Sequence, residues 1–189
     1  MDILSQIDKS WTLFLDRDGV INYEKKDDYI RNPEEFRFYE GVTTALKTLS
    51  DLFGTIVMVT NQRGIGRGLM TEQDLSEIHS KMLSAVIEAD GRIDKIYYCT
   101  AVDSAAYERK PNPGMAHRAK QDFEHIDFSK SIMVGNKLSD MQFGRNAGMY
   151  TVYVDTTHPE VVSPHPLIDS RFTDLGSFAR HLSSVVIKS

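Results

Sequence analysis

Cysteine is almost missing from this chain of 189 residues, where Cys99 stands alone. A single thiol excludes an internal disulfide and a cysteine-rich zinc cage. Positive charge is in deficit, with 22 Lys and Arg against 27 Asp and Glu, for a net charge of −5. That balance leaves no basic footprint for nucleic acid as the main partner. No segment approaches the roughly 18 to 20 apolar residues of a membrane span. The opening MDILSQIDKSW has no basic start followed by an apolar stretch, so a cytoplasmic location is expected. No internal repeat is visible, and no heptad pattern or long exposed apolar stripe calls for a second copy, so a monomer is expected. Apolar residues make up 41% of the chain, enough for a proper core, and the length suits one domain over 1–189.

What is present is concentrated first in Thr12–Asn22, which reads TLFLDRDGVIN. A short apolar strand ends on two aspartates spaced two apart. Side chains alternate along an extended chain, so Asp16 and Asp18 are expected to project to the same side. Gly19 then lets the backbone turn sharply away. Two acids on one side of a turn make a hard, oxygen-rich corner, which suits Mg²⁺ rather than zinc. One carboxylate can attack an electrophile while the other moves a proton. Asp-x-Asp-Gly also occurs in ordinary turns, so this motif alone decides nothing.

The rest of the chain alternates between strand and helix. Thr12–Leu15 reads as the first strand and Gly41–Leu52 as a helix, with Val42, Ala45, Leu46 and Leu49 at helical spacing. Thr55–Thr60 (TIVMVT) is a continuous β-branched and apolar run, the mark of a strand buried on both faces. Asn61–Met70 is glycine-rich. Thr71 then caps a helix to about Ala89, whose stripe is Leu75, Ile78, Met82 and Val86. Lys95–Cys99 is a third strand, and Pro113 with Gly114 opens a helix to about Glu124. Ser131–Val134 is a fourth strand, ended by Gly135; a short helix covers about Ser139 to Ala147, and Met149–Val154 is a fifth strand. Thr156–Leu167 carries three prolines and reads as an extended linker, and Asp174 caps a final helix with Leu175, Phe178, Leu182 and Val185 inward. The expectation is a Rossmann-like three-layer α/β/α fold with a central parallel sheet, whose ligand sits beyond the carboxyl ends of the strands.

That rule gathers the unusual residues. Strand one ends at Asp16 and Asp18, strand two at Thr60 and Asn61. The loop after strand three carries Arg109 and Lys110, and strand four ends at Gly135, Asn136 and, one turn later, Asp140. A hydroxyl, an amide, a lysine and paired acids at one edge match a transferring phosphoryl group, whose equatorial oxygens want positive charge and donors. Each residue has an ordinary reading as well: Thr60 as a strand end, Lys110 as a solvated loop lysine, Asp140 as a helix-start acid. Their recurrence at successive strand ends is what favours chemistry.

The motifs DRDGVIN, VTNQRGIGRG, ERKPNPG and GNKLSDM, in this order, resemble the four motifs of the haloacid dehalogenase superfamily. Nearly the whole chain resembles its heptose 1,7-bisphosphate phosphatases and their histidinol-phosphatase relatives. The resemblance implies Asp16 as the nucleophile that forms an aspartyl-phosphate. It implies Asp18 as the acid that protonates the departing oxygen and the base that activates water. Thr60 and Lys110 steady the phosphoryl group, and backbone amides near Asn61 complete its cradle. Mg²⁺ is implied at the Asp16 carboxylate, the Asp18 backbone carbonyl and residue 136, with Asp140 supporting that shell. Asn61, Gln62, Arg63, Arg109 and Lys137 are the implied substrate contacts. The gaps between motifs leave no room for a cap domain, so a capless, open pocket is expected. Arg63 and Arg67, flanked by glycines, could grip a second phosphate through paired donors.

Two departures from the pattern stand out. The superfamily normally has aspartate at position 136, where this chain has Asn136, which offers a carbonyl oxygen without charge. The loop after Cys99 is short (TAVDSAAYE) and has no histidine, so no structural zinc is expected. Three readings stay open: a C7 phosphatase of heptose bisphosphate, a phosphatase of histidinol phosphate or another small ester, and a metal-impaired phosphoryl-binding domain. The second acid, Asp18, favours an enzyme, because a pure phosphoryl acceptor need not protonate a leaving group.

Overall fold

A computed structural model describes residues 2–186. Six parallel strands form one sheet: β1 (Thr12–Leu15), β2 (Thr55–Asn61), β3 (Lys95–Cys99), β4 (Ser131–Gly135), β5 (Tyr150–Val154) and β6 (Ser170–Phe172), in the order β3-β2-β1-β4-β5-β6. Six helices connect them: α1 (Val42–Leu52), α2 (Arg63–Gly66), α3 (Glu72–Glu88), α4 (Gly114–Asp122), α5 (Leu138–Ala147) and α6 (Leu175–Val185). Strand residues alternate between two cores. Leu13, Leu15, Ile56, Met58, Ile132 and Val134 face a core shared with α1, α3 and α6, whereas Phe14, Val57, Val59 and Met133 face one shared with α4 and α5. Burial on both faces is why these strands read as unbroken apolar runs. The three-layer parallel architecture expected from the sequence is the one observed.

The chain builds outward from β1 through β2 to β3, then returns to the other side of β1 with β4. The carboxyl ends of β1 and β4 therefore flank the point where strand order reverses, the usual place for a crevice. Residues 16–41, between β1 and α1, add only isolated bridges, Asp18 with Asn22 and Asn22 with Phe38. Helix starts are well specified: Thr71 and Asp74 make a reciprocal capping box for α3, and Asp174 accepts from the Ser177 amide at α6.

Two elements were not assigned from the sequence. Part of the glycine-rich stretch winds into α2, four residues long. Beyond the proline-bearing segment the chain adds β6, a three-residue edge strand beside β5. Its residues SRF are only half-buried, so they carry neither a buried run nor a clear alternation. No helix among the described residues is long and apolar enough to cross a membrane.

Candidate active site

Asp16 follows β1 directly, and its backbone N–H still donates to Val134 O in β4 at 3.0 Å. The chain then turns at Gly19, whose φ of +88° lies in the left-handed region. A Cβ there would meet Nδ2 of Asn136 at 2.0 Å, so glycine is required by both conformation and space. This turn brings the first and fourth motifs into contact.

Lys110 supplies the charge at the centre. Its ammonium is buried and donates to Asp16 Oδ1 at 2.8 Å and to Asp140 Oδ1 at 2.7 Å. Burial alone would lower the Lys110 ammonium, but Asp140 and Asp16 outweigh it and raise it. Asp16 is pushed up to about 7 by burial and by the charge of Asp140, against the pull of Lys110. Two carboxylates and one ammonium leave an excess negative charge in a buried place, and a cation nearby would relieve it. Asn61 fixes Lys110 in turn: its side chain donates to Lys110 O and accepts from Lys110 N, both at 3.1 Å.

Asp18 is held as firmly. Oδ1 accepts from Asn22 Nδ2 at 2.9 Å and Oδ2 from Gln62 Nε2 at 3.1 Å, while Arg17 reaches both oxygens. Burial would raise its carboxyl, yet Arg17 and the hydrogen bonds from Asn22 and Gln62 hold it below the usual carboxylate range. Gln62 also donates to Thr60 Oγ1 at 2.9 Å, so it links the second motif to Asp18.

Asn136 tests whether a divalent cation fits. It is fully buried; Nδ2 donates to Thr157 Oγ1 at 2.6 Å, and Oδ1 has no hydrogen-bond partner among the described residues. A buried carbonyl oxygen with no hydrogen-bond partner among the described residues, packed against the Gly19 turn that follows the two aspartates, fits a hard cation. No group of three His, Cys, Asp or Glu side chains among the described residues could hold a metal. The set that the resemblance implies for Mg²⁺, the Asp16 carboxylate, the Asp18 backbone carbonyl and residue 136, needs only two side chains, one of them a carboxylate.

The other expected contacts divide. Asp140 is occupied by protein, since Oδ1 takes Lys110 and Oδ2 takes the amides of Asn136 and Lys137 at 3.2 and 3.1 Å. These contacts hold the loop and the lysine. Asn61 and Gln62, read as substrate contacts, use their side chains on Lys110, Thr60 and Asp18, and the Gln62 amide goes to Cys99 O at 2.7 Å. Arg63, Arg67, Arg109, Lys110 and Lys137 line one cleft of about 720 Å³ with Asp16, Asp18 and Thr60. Arg63 Nε is buried without a hydrogen-bond partner among the described residues, and Arg67 stands 6.0 Å over the Tyr29 ring. Burial and the nearby charge of Arg63 lower Arg109, whose Nη1 donates to Ala101 O. Lys137 pairs with Glu24 at 2.9 Å on the cleft wall. Four participants escaped the sequence reading: Arg17, Asn22, His79 and Thr157. All but Asn22 are reached only through contacts distant in sequence or hidden by burial.

Comparison with known proteins agrees with this geometry. The family model described as polynucleotide kinase 3 phosphatase matches residues 12–158. The chain is 40% identical over 144 residues to a D-glycero-alpha-D-manno-heptose-1,7-bisphosphate 7-phosphatase from Campylobacter jejuni, covering 76% of this chain and 81% of that one. The chain belongs to the heptose bisphosphate phosphatases of the haloacid dehalogenase superfamily. A D-glycero-beta-D-manno-heptose-1,7-bisphosphate 7-phosphatase from Salmonella typhi is 39% identical over 156 residues, covering 78% and 81%. In this family the solved D,D-heptose 1,7-bisphosphate phosphatase from B. bronchiseptica, complexed with magnesium and phosphate, superposes with a TM-score of 0.83 at 30% identity. The match covers 92% of this chain and 98% of that one.

Proposed function

We propose that this phosphatase hydrolyses the C7 phosphate of D-glycero-D-manno-heptose 1,7-bisphosphate, through an aspartyl-phosphate on Asp16. The observation that carries the reading is Lys110, buried between Asp16 and Asp140, with a second acid two residues beyond the first. Asp16 attacks phosphorus while Lys110 and Thr60 bind the phosphoryl oxygens, whose charge is spread as the bond to the sugar breaks. The negative charge of the incoming phosphate raises the proton affinity of Asp18, which takes up a proton from solvent as the substrate binds and gives it to the departing C7 oxygen. Asp18 then takes a proton from the water that attacks the aspartyl-phosphate, which releases phosphate and restores Asp16. Bound Mg²⁺, held by Asp16, Asn136 and the Asp18 carbonyl, would screen the carboxylate from the phosphate it attacks.

The cleft supports a bisphosphate. Arg63, Arg67 and Arg109 line it together, and a buried guanidinium donor of Arg63 without a partner among the described residues suits an anion. The test compares phosphate release, with Mg²⁺ in excess, from the 1,7-bisphosphate and from the 7-monophosphate. A clear preference for the bisphosphate that Arg63→Ala removes supports the reading; equal efficiency removes the second-phosphate claim. The neutral Asn136 favours a second reading, a phosphoryl-binding domain with an impaired metal site. It prevails if no phosphate is released from sugar, histidinol or aryl phosphates in saturating Mg²⁺.

A further inference from the structure

Arg17 lies between the two aspartates of the first motif, and no step of the reaction above uses it. It is fully buried, which a guanidinium tolerates only when its charge and donors are matched. Nη2 donates to both oxygens of Asp18, at 2.8 and 3.0 Å, and Nε adds a longer bond of 3.3 Å. On its far side Nη1 lies 3.2 Å from Nε2 of His79, which α3 carries 62 positions along the chain. A guanidinium only donates, so Nε2 accepts and the ring proton sits on Nδ1. Burial, with the charge of Arg17 added, pushes His79 down to about 3, so the imidazole is neutral.

His79 does not line the cleft that holds Asp16 and Asp18; it borders a separate hollow with Glu72 and Tyr98. Any influence it has on the reaction passes through Arg17. We propose that Arg17 and His79 are a positioning pair that fixes the direction of the Asp18 carboxylate for proton transfer at the reacting oxygen. This rests on the phosphatase reading and adds to it two residues that never touch substrate. Nη2 bridges both carboxylate oxygens while Nε adds a longer contact to Oδ1, so the planar guanidinium orients the acid through two nitrogens where a lysine has one. His79 fixes the guanidinium from its other end by accepting from Nη1, and it is itself buried on the packed face of α3, a capped helix of 17 residues. As a source of stability alone the arrangement is poor, because a buried ion pair barely offsets its own desolvation. Alignment is what it supplies.

The test separates alignment of the acid from general support of the fold. Phosphate release is measured on heptose 1,7-bisphosphate, whose alkoxide needs a proton to leave, and on 4-nitrophenyl phosphate, whose phenolate does not. The quantity compared is kcat/KM, which covers steps only through phosphoryl transfer to Asp16 and so isolates the departure step. His79→Phe is expected to lower it by about 10- to 100-fold on the sugar and less than about threefold on the aryl ester. His79→Gln, which keeps an acceptor for Arg17, restores most of the loss. Arg17→Lys, which keeps the charge without the fork, repeats the His79→Phe pattern and serves if that variant does not fold. Equal losses on both substrates, or none on either, overturn the proposal. A wild-type chain that releases phosphate from neither substrate overturns the phosphatase reading itself, a different result from a pair that fails selectively.

Discussion

Asn136→Asp restores the charge that the superfamily pattern places at this position, and its two effects have opposite sign. With Mg²⁺ bound, the new carboxylate adds attraction to a cation that Asp16 alone meets with full charge. Two unit charges about 4 Å apart interact by roughly 4 kcal/mol at an effective dielectric near 20. Repulsion from Asp16 and Asp140, both buried beside Lys110, removes much of that gain. A net gain of about 1.4 to 2.8 kcal/mol corresponds to Mg²⁺ binding tighter by about 10- to 100-fold. Without metal the same substitution puts a third carboxylate into a corner that one ammonium already fails to neutralise. The amide hydrogen bond from Nδ2 to Thr157 is also lost, unless the hydroxyl turns to donate. A loss of about 2 to 4 kcal/mol is expected in chelator, or about 5 to 10 °C in Tm for a chain of this size. Calorimetric Mg²⁺ titration measures the first effect and melts with and without EDTA the second; phosphate release against Mg²⁺ gives the functional midpoint. Unchanged Mg²⁺ affinity together with an unchanged melt in chelator would refute the assignment of Asn136 to the metal corner.

Lys110→Met leaves Asp16 and Asp140 buried and unpaired, and about 3 to 5 kcal/mol of stability is expected to go, with phosphate release; urea unfolding and a release assay check both. Gly19→Ala forces an L residue to φ +88° and drives its Cβ into the Asn136 amide, so a strain of about 1 to 2 kcal/mol adds to a displaced ligand. The urea midpoint is expected to fall and the Mg²⁺ requirement to rise; a variant that matches wild type in both contradicts the close approach. His79, pushed down to about 3, binds a proton near pH 6.5 only when unfolded. Its stabilising contribution is complete above about pH 6.5 and is lost as pH falls toward 3, at about 1.4 kcal/mol per pH unit. Replacing it by glutamine is expected to narrow the stability difference between pH 7 and pH 5 by about 2 kcal/mol, measured by urea unfolding at both values.

What could be read from the chain, and what could not, follows the range of the interactions involved. Strands flanked by helices write their burial into consecutive residues, so Thr55–Asn61 announces itself as TIVMVTN and α3 as a stripe with its own capping box. The chemistry shared that advantage, because a parallel sheet delivers strand ends to one edge whatever the loops do. β6 had no such signature: three half-buried edge residues look like the loop before them. The side chains of Asn61, Gln62 and Asp140 meet Lys110, Thr60, Asp18 and the amides of residues 136 and 137, since a motif shows which residues gather and not which atoms they satisfy.

Arg17 shows this most sharply. In sequence it is a charged residue between two acids, where solvation is the default expectation. In the structure it is fully buried, and its guanidinium folds back onto Asp18 while its other end meets His79. Asp18 matches its charge and α3 supplies the acceptor for Nη1, and nothing near residue 79 marks His79 as that acceptor. The same reasoning applies to Thr157, whose hydroxyl takes the nitrogen of Asn136 and leaves the oxygen bare. In both places the reacting or ligating group comes from a motif at a strand end, while the residue that aims it comes from a distant segment. A substitution at His79 or Thr157 is therefore expected to disturb chemistry while leaving every motif intact, and a comparison of motifs alone would miss the cause.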